Sequence, residues 1–312
     1  MKKTLIAALL MLGATLPAAA QSVTGTLPFY VDATGGKTWK DVADVFAYAL
    51  TDALPGSQNF AVTAAASSAD AATRVMSAPA TSLAIGLVKS DFISADARLP
   101  AAEQKFGKLN WVIALVAPIV TCVGPAAGAN LDSAVIVAPP NGSVGYAMAK
   151  TIAGAHPGAS ISADTAMPKD LVGALNAGTV TVACGIPYAI VARNLKDKVS
   201  VVGAIGPQAD LDALKLPNLA ATVPEGDRDA FRAATASAAF YYALISSADP
   251  ASEAGKALTD ALAKLVGAKR FIAEVGQMTG RISPIDGKAL TDLVNGLYAI
   301  SPETFAKSGE IY

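Results

Sequence analysis

Thr26–Leu50 reads TLPFYVDATGGKTWKDVADVFAYAL, and this stretch decides the fold class. Leu27–Val31 predicts a short buried strand, and Thr34–Trp39 a loop built on Gly35-Gly36. Lys40–Leu54 then predicts a helix. Val42, Val45, Phe46, Ala49 and Leu50 share one face, with Lys40, Asp41, Asp44 and Asp52 largely off it. Pro55-Gly56 ends that helix. Asn59–Ala64 reads as a second strand. Ser67-Ser68 open a second helix with Asp70 in its first turn, and Pro79 closes it. Ser82–Leu87 reads as a third strand. The order β-α-β-α-β is that of a parallel sheet with crossover helices.

The same alternation returns downstream. A polar segment, Ser90–Lys108, precedes the long strand-like run Trp111–Val123, whose length suits a strand that leaves one sheet and enters another. Strands are expected at Ser133–Ala138, Ser160–Ala163, Thr179–Cys184 and Val199–Ile205. Helices are expected at Gly142–Ala155, Pro168–Asn176 and Ile186–Leu195. Gln208–Asp227 reads as loop, punctuated by Pro217 and Pro224. A strand through Phe240–Tyr242 is followed by helices at Pro250–Leu265 (Asp249 as N-cap), Lys269–Val275, Asp286–Leu297 and Pro302–Ser308. This strand-poor tail is expected to pack back on the first α/β unit. That gives two lobes, residues 21–120 with 229–312, and 121–228, joined by two crossings.

The N-terminus has the three parts of a signal peptide: Lys2-Lys3, an apolar Thr4–Leu16, and small residues at Pro17–Ala20. Cleavage after Ala20 leaves 292 of the 312 residues and places the chain in a periplasm or a similar space. Without Lys2 and Lys3, 22 basic residues face 25 acidic ones, a net charge of −3. That balance excludes nucleic acid and anionic membrane surfaces as expected partners. Cys122 and Cys184 each follow a β-branched run; they form a disulfide if those strands are neighbours, or sit as two buried small hydrophobes.

No catalytic set is apparent. The single histidine, His156, lies in the turn sequence GAHPG with no evident partner, and there is no G-x-S-x-G, Walker A or full dinucleotide motif. With two cysteines and one histidine at no ligand spacing, no metal site or cofactor is expected. Asp32 and Asp91 read as solvated or capping residues. What recurs is a strand, a small polar loop and a helix start, at Thr34–Thr38, Ala66–Ser68 and Asn141–Ser143. Each alone is an ordinary helix start. Several at strand C-termini can hold an anion through backbone N–H groups and helix dipoles.

The order of these features resembles the extracytoplasmic solute-binding receptors of the tripartite tricarboxylate transporter family. PFYVDATGGKTWKDVADVFAYAL is similar to that family's first strand, glycine loop and helix, and AAASSADAATRVMSAPATSLAIG to its small-residue helix start and strand. NGSVGYAMAKTIAG and KDLVGALNAGTVTVACGIP are similar to the opening of its second lobe, and LKLPNLAATVPEG to its P-x-x-x-T-x-x-E segment. FYYALISSADPASEAGKALTDALAKLVGAKRFIAEVGQMTG resembles its return strand and C-terminal helices.

The resemblance implies an α/β, two-lobed periplasmic-binding-protein (Venus-flytrap) fold, each lobe a mostly parallel sheet flanked by helices. It also implies a monomeric receptor, not an enzyme, that captures a small organic anion, a carboxylate, and delivers it to membrane permease subunits. Carried over by position, the ligand-binding residues are Thr34, Gly35, Gly36, Lys37, Thr38, Ser67, Ser68, Gly142, Ser143 and Val144. Ser90 and Thr165 stand at further strand ends. A receptor of the TRAP type, a sensor partner and a periplasmic enzyme on the same scaffold are the competing readings.

Overall fold

The computed structural model describes residues 26–312 other than 57, 80, 81, 117, 165, 280 and 281; the expected signal peptide and Thr165 lie outside the described residues. The first unit begins β1 (Thr26–Asp32), α1 (Gly36–Ala53), β2 (Asn59–Ala65), α2 (Ser68–Ser77), β3 (Ile85–Val88), α3 (Asp91–Ala97) and β4 (Asn110–Val116). The second comprises β5 (Val120–Pro125), β6 (Val135–Val137), α4 (Val144–Ala155), β7 (Ser160–Ile161), α5 (Leu171–Asn176), β8 (Val182–Pro187), α6 (Tyr188–Ile190), β9 (Val199–Ile205) and α7 (Gln208–Leu214). Then follow α8 (Arg228–Thr235), β10 (Tyr241–Ser246), α9 (Glu253–Gly267), α10 (Lys269–Thr279), β11 (Ile285–Asp286), α11 (Gly287–Tyr298) and α12 (Pro302–Ile311).

Leu27, Phe29 and Val31 alternate along β1 and are buried, which is the period of a strand. Trp39, Val42, Phe46 and Leu50 recur at helical spacing in α1 and bury against them, together with α9 and α10. Fully burying side chains such as Phe29, Phe46 and Leu50 is worth roughly 1.5–3 kcal/mol each. The other face of this sheet is covered by α2, α3 and α11. In the second unit, α4 and α8 pack on one face and α5 on the other.

Two sheets result, ordered β11-β4-β10-β3-β1-β2 and β7-β6-β8-β5-β9. They are mixed, not mostly parallel. Pairs β1–β2, β1–β3, β6–β7 and β6–β8 are parallel, whereas β10–β3, β10–β4, β11–β4, β5–β8 and β5–β9 are antiparallel. The reason is topological. β5 and β10 each arrive from the other unit and so run away from the interface, while β1, β3, β6 and β8 run toward it. The strand-like run at Trp111–Val123 divides into β4 in one sheet and β5 in the other, broken beside Pro118, which has no N–H for a ladder.

Several expectations change locally. Gln208–Asp227 is not all loop, since α7 lies within it and buries Leu211. The cap of α9 is Ser252, whose Oγ accepts from Gly255 N–H at 3.0 Å, and not Asp249. The expected helix Ile186–Leu195 is shorter: β8 continues to Pro187, and α6 runs into a π-helical turn, Val191–Leu195. The tail also does not confine itself to the first unit. Phe305 of α12 joins the first unit's core, while Tyr312 packs edge-on to Phe231 in the second unit's core. Cys122 and Cys184 stand opposite each other on β5 and β8 and are joined by a disulfide.

Candidate functional site

At the end of β1, Asp32 is almost wholly buried. Its Oδ1 accepts from the backbone N–H (2.8 Å) and Oγ1 (2.6 Å) of Thr34, and its Oδ2 accepts from Ser68 Oγ (2.6 Å). Ser68 Oγ in turn accepts from Lys89 N–H at the end of β3. The Lys89 ammonium donates to Thr34 Oγ1 (3.2 Å), lies 3.1 Å from Asp91 Oδ2 and 3.9 Å from Asp32 Oδ2. Three strand-to-helix connections are thereby tied at one point. Asp32 does cap, as its sequence context suggests, but it also gathers Ser68 from 36 residues away.

The expected loop Thr34–Trp39 is shorter than its sequence suggests. A single 3₁₀ turn, Ala33–Gly35, leads directly into α1 at Gly36. Gly36 has φ +68°, which favours glycine, and its N–H is committed to Ala33 O. A Cβ at Gly35 would sit 2.0 Å from the Trp39 ring, so only glycine fits there. Trp39 is a core residue, stacked on Tyr242 with ring centroids 4.6 Å apart. Lys37 and Thr38 are exposed in the first turn of α1, and Lys37 pairs with Asp41 along the helix surface.

Ser67 caps α2 by accepting from Asp70 N–H, while Asp70 accepts from Ala66 N–H and from Arg74. The Arg74 hydrogen bond, helped by the Ala66 amide, holds the Asp70 carboxyl below its usual range. Ser90 is fully buried. Its hydroxyl donates to Ser237 O and accepts from Phe240 N–H, so it ties the start of α3 to the segment before β10 and presents nothing to solvent.

In the second unit, Ser143 caps α4 through Tyr146 N–H at 3.1 Å, and exposed Gly142 takes φ +83°. Val144 is half-buried behind them. The helix start lies against the end of β8, where a Cβ on Gly145 would come within 2.7 Å of Gly185 Cα. Gly142–Val144 share no hydrogen bond or ion pair with Thr34–Thr38 or Ser67-Ser68 among the described residues. His156, for which the sequence showed no partner, pairs with exposed Asp132 (Nδ1 to Oδ1, 2.8 Å) at the far end of α4.

Between the units lies a cavity of about 510 Å³, bordered by the crossing (Val116, Pro118, Ile119), by Tyr241 and Tyr242, by Gly276 and Thr279 of α10, and by Tyr188, Ala192 and Arg193. Tyr242 adopts φ +54°, a strained backbone for a bulky residue. Burial pushes both tyrosine hydroxyls above their ordinary range. At Tyr241, Lys89 opposes this and Asp91 adds to it; Ser90 N–H donates to Phe240 O, so the Lys89–Asp91 segment runs beside Tyr241 at the cavity. Two larger hollows lie elsewhere. One, of about 840 Å³, is set against α4 and Tyr312, and one of about 820 Å³ lies by α8 and α11. Lys89, Tyr241, Tyr242 and Arg193 are the residues that sequence reasoning did not select. The one signal in the chain was the Tyr-Tyr pair at the head of a return strand.

No family model matches the sequence, and no curated protein matches it. Solved structures do match. A TctC solute binding protein from Polaromonas, without ligand, is 16% identical with a TM-score of 0.67, over 90% of this chain and 98% of that one. An R. palustris protein, Rpa4515, with adipate, is 15% identical with a TM-score of 0.50, over 92% of this chain and 98% of that one. The fold of this chain is therefore that of the two-lobed periplasmic binding proteins, with both of its sheets in place.

Proposed function

We propose that this protein is a periplasmic receptor that captures a small organic anion, a carboxylate, between its two lobes and delivers it to membrane permease subunits of the tripartite tricarboxylate type. The observation that carries the reading is the cavity walled by residues of both units; the candidate helix starts at the C-terminal ends of β1 and β6 are not part of its lining and reach the ligand only as the lobes close. The first-turn amides of α1, α2 and α4 have no intrahelical acceptor, and the helix dipoles favour a negative ligand there. Of the candidate segments Thr34–Thr38, Ser67-Ser68 and Gly142–Val144, the Thr34 and Ser68 hydroxyls and the Thr34 and Gly36 amides are committed within the protein, so the first-turn amides such as those of Lys37, Thr38 and Val144 carry this part. Adipate in the R. palustris protein, which shares this fold, supports a carboxylate in particular. The two lobes, divided near residues 120 and 228 but with α8 and Tyr312 packed on the second, close over the ligand by bending at the Pro118 crossing and near α8. The receptor works as a monomer and returns its ligand chemically unchanged.

A thermal-shift screen of mono-, di- and tricarboxylates tests this. A ligand at 100 times its Kd adds ~2.7 kcal/mol to stability, a rise of several degrees in Tm. Recovery of the shifting ligand intact is the expected result. Stabilisation by neutral sugars alone, or conversion of the ligand, would overturn the reading.

A further inference from the structure

Resting on that receptor reading, but placing the carboxylate at Arg193 and not at the helix starts, we infer that the ligand is an aromatic carboxylate, its ring laid against the exposed Tyr241, which Tyr242 backs, and its carboxylate gripped by Arg193. The shape comes first. A cavity of about 510 Å³ is larger than a short aliphatic acid needs, and it is walled by Val116, Pro118, Ile119 and Tyr188 beside the two tyrosines. Such a wall places a flat apolar body well and a chain of hydroxyls poorly. Tyr242, buried in the first unit's core, is stacked on Trp39 at 4.6 Å, and its left-handed backbone is one that a bulky side chain adopts only where its surroundings impose it. Strain of this kind, facing a cavity, marks a prearranged surface.

The charges come second. In the first unit Lys89 is shared between Asp91 and Asp32, so that edge has two carboxylates for one ammonium. Lys37 is spent on Asp41. Arg193 is the cation that borders the cavity, and it makes no hydrogen bond or ion pair among the described residues. It stands in the π-helical turn Val191–Leu195, a rare conformation that recurs at functional sites. A guanidinium offers a carboxylate two parallel donors, and it comes from the lobe opposite the tyrosines. A ligand held by both is held only when the lobes close. The Tyr241 hydroxyl is a neutral donor near neutral pH and is available along the ligand's edge.

Titration calorimetry with benzoate, cyclohexanecarboxylate, adipate and citrate tests the inference on the full mature chain. Benzoate is expected to bind about 3- to 10-fold more tightly than its saturated counterpart, the margin of ring-on-ring packing. It is also expected to change the Trp39 fluorescence. Arg193→Gln should weaken benzoate about 10- to 100-fold, with Arg193→Lys in between. Tyr241→Leu should bring the benzoate-to-cyclohexanecarboxylate ratio toward one. Unliganded melting curves of each variant that match the parent confirm that folding is intact. Equal binding of the two ring acids, or wild-type affinity in Arg193→Gln, would overturn the inference. Binding of adipate or citrate without benzoate would overturn it and leave the receptor standing, and binding of no carboxylate would remove both.

Discussion

At the interlobe edge of the six-stranded sheet, one buried carboxylate collects Thr34, Ser68 and, through them, Lys89. At the matching edge of the five-stranded sheet no carboxylate among the described residues has that part. There, Gly145 lets α4 touch the backbone of Gly185, Ser143 caps the helix, and a disulfide fixes β8 to β5 two strand positions away. The first edge is held by polar bonds that use up its charges. The second is held by close backbone approach and a covalent tie, and Arg193 there has no hydrogen bond or ion pair among the described residues. Similar strand–loop–helix units thus reach similar rigidity by different means, and the difference decides where free charge remains for a ligand.

The comparison is broken most easily at the covalent tie. The Cys122–Cys184 bridge spans 62 residues, and closing a loop of that length restricts the unfolded chain by about 4 kcal/mol. Cys122→Ala with Cys184→Ala keeps both buried positions small and apolar. The expected result is a loss of that order in guanidinium melts, concentrated in the second unit. A loss under about 1 kcal/mol would mean that packing alone holds this edge.

The first edge is next. Asp32→Ala leaves Thr34, Ser68 and Lys89 without their common acceptor, and removing one member of a buried charged set costs about 3 kcal/mol. Asp32→Asn keeps the shape and should lose less. Urea melts of the two variants, with the double-cysteine variant beside them, read the two edges on one scale. If Asp32→Ala costs less than about 1 kcal/mol, the polar knot does not hold its edge and the contrast fails.

Much of the local structure was legible. The switch from a buried strand to a helix-period stripe at Val42, Phe46 and Leu50 placed β1 and α1, and the hydroxyls at Ser67-Ser68 placed the start of α2. Strand direction was not legible, because whether β5 and β10 run with or against their neighbours depends on which unit each arrives from. The cap of α9 was misplaced by three residues because Asp249 precedes a proline, which is a normal helix opening, whereas Pro250-Ala251 here forms a turn ahead of Ser252. The site was less legible than the fold. Asp32 reads as a local cap until the β1–β2 register brings Ser68 to its other oxygen. Arg193 sits on what reads as an ordinary helix until β8 is seen to run on to Pro187. Each of these depends on a contact between residues far apart in sequence, and no periodicity records such a contact.

The smallest effect belongs to the residue that sequence position favoured most as a positive charge at the first loop. Lys37 is 85% exposed and paired with Asp41 one helical turn on, and exposed i,i+4 pairs of this kind contribute about 0.3–0.5 kcal/mol. Lys37→Ala should therefore shift stability by no more than that, and the shift should vanish in high salt. Its amide remains in the first turn of α1 after the substitution, so carboxylate affinity should stay within about twofold of the parent if that loop acts through its backbone. A tenfold loss would show that the ammonium leaves Asp41 and reaches into the closed cleft. In that case the first edge keeps a mobile charge after all, and the two edges differ less in the closed state than they do here.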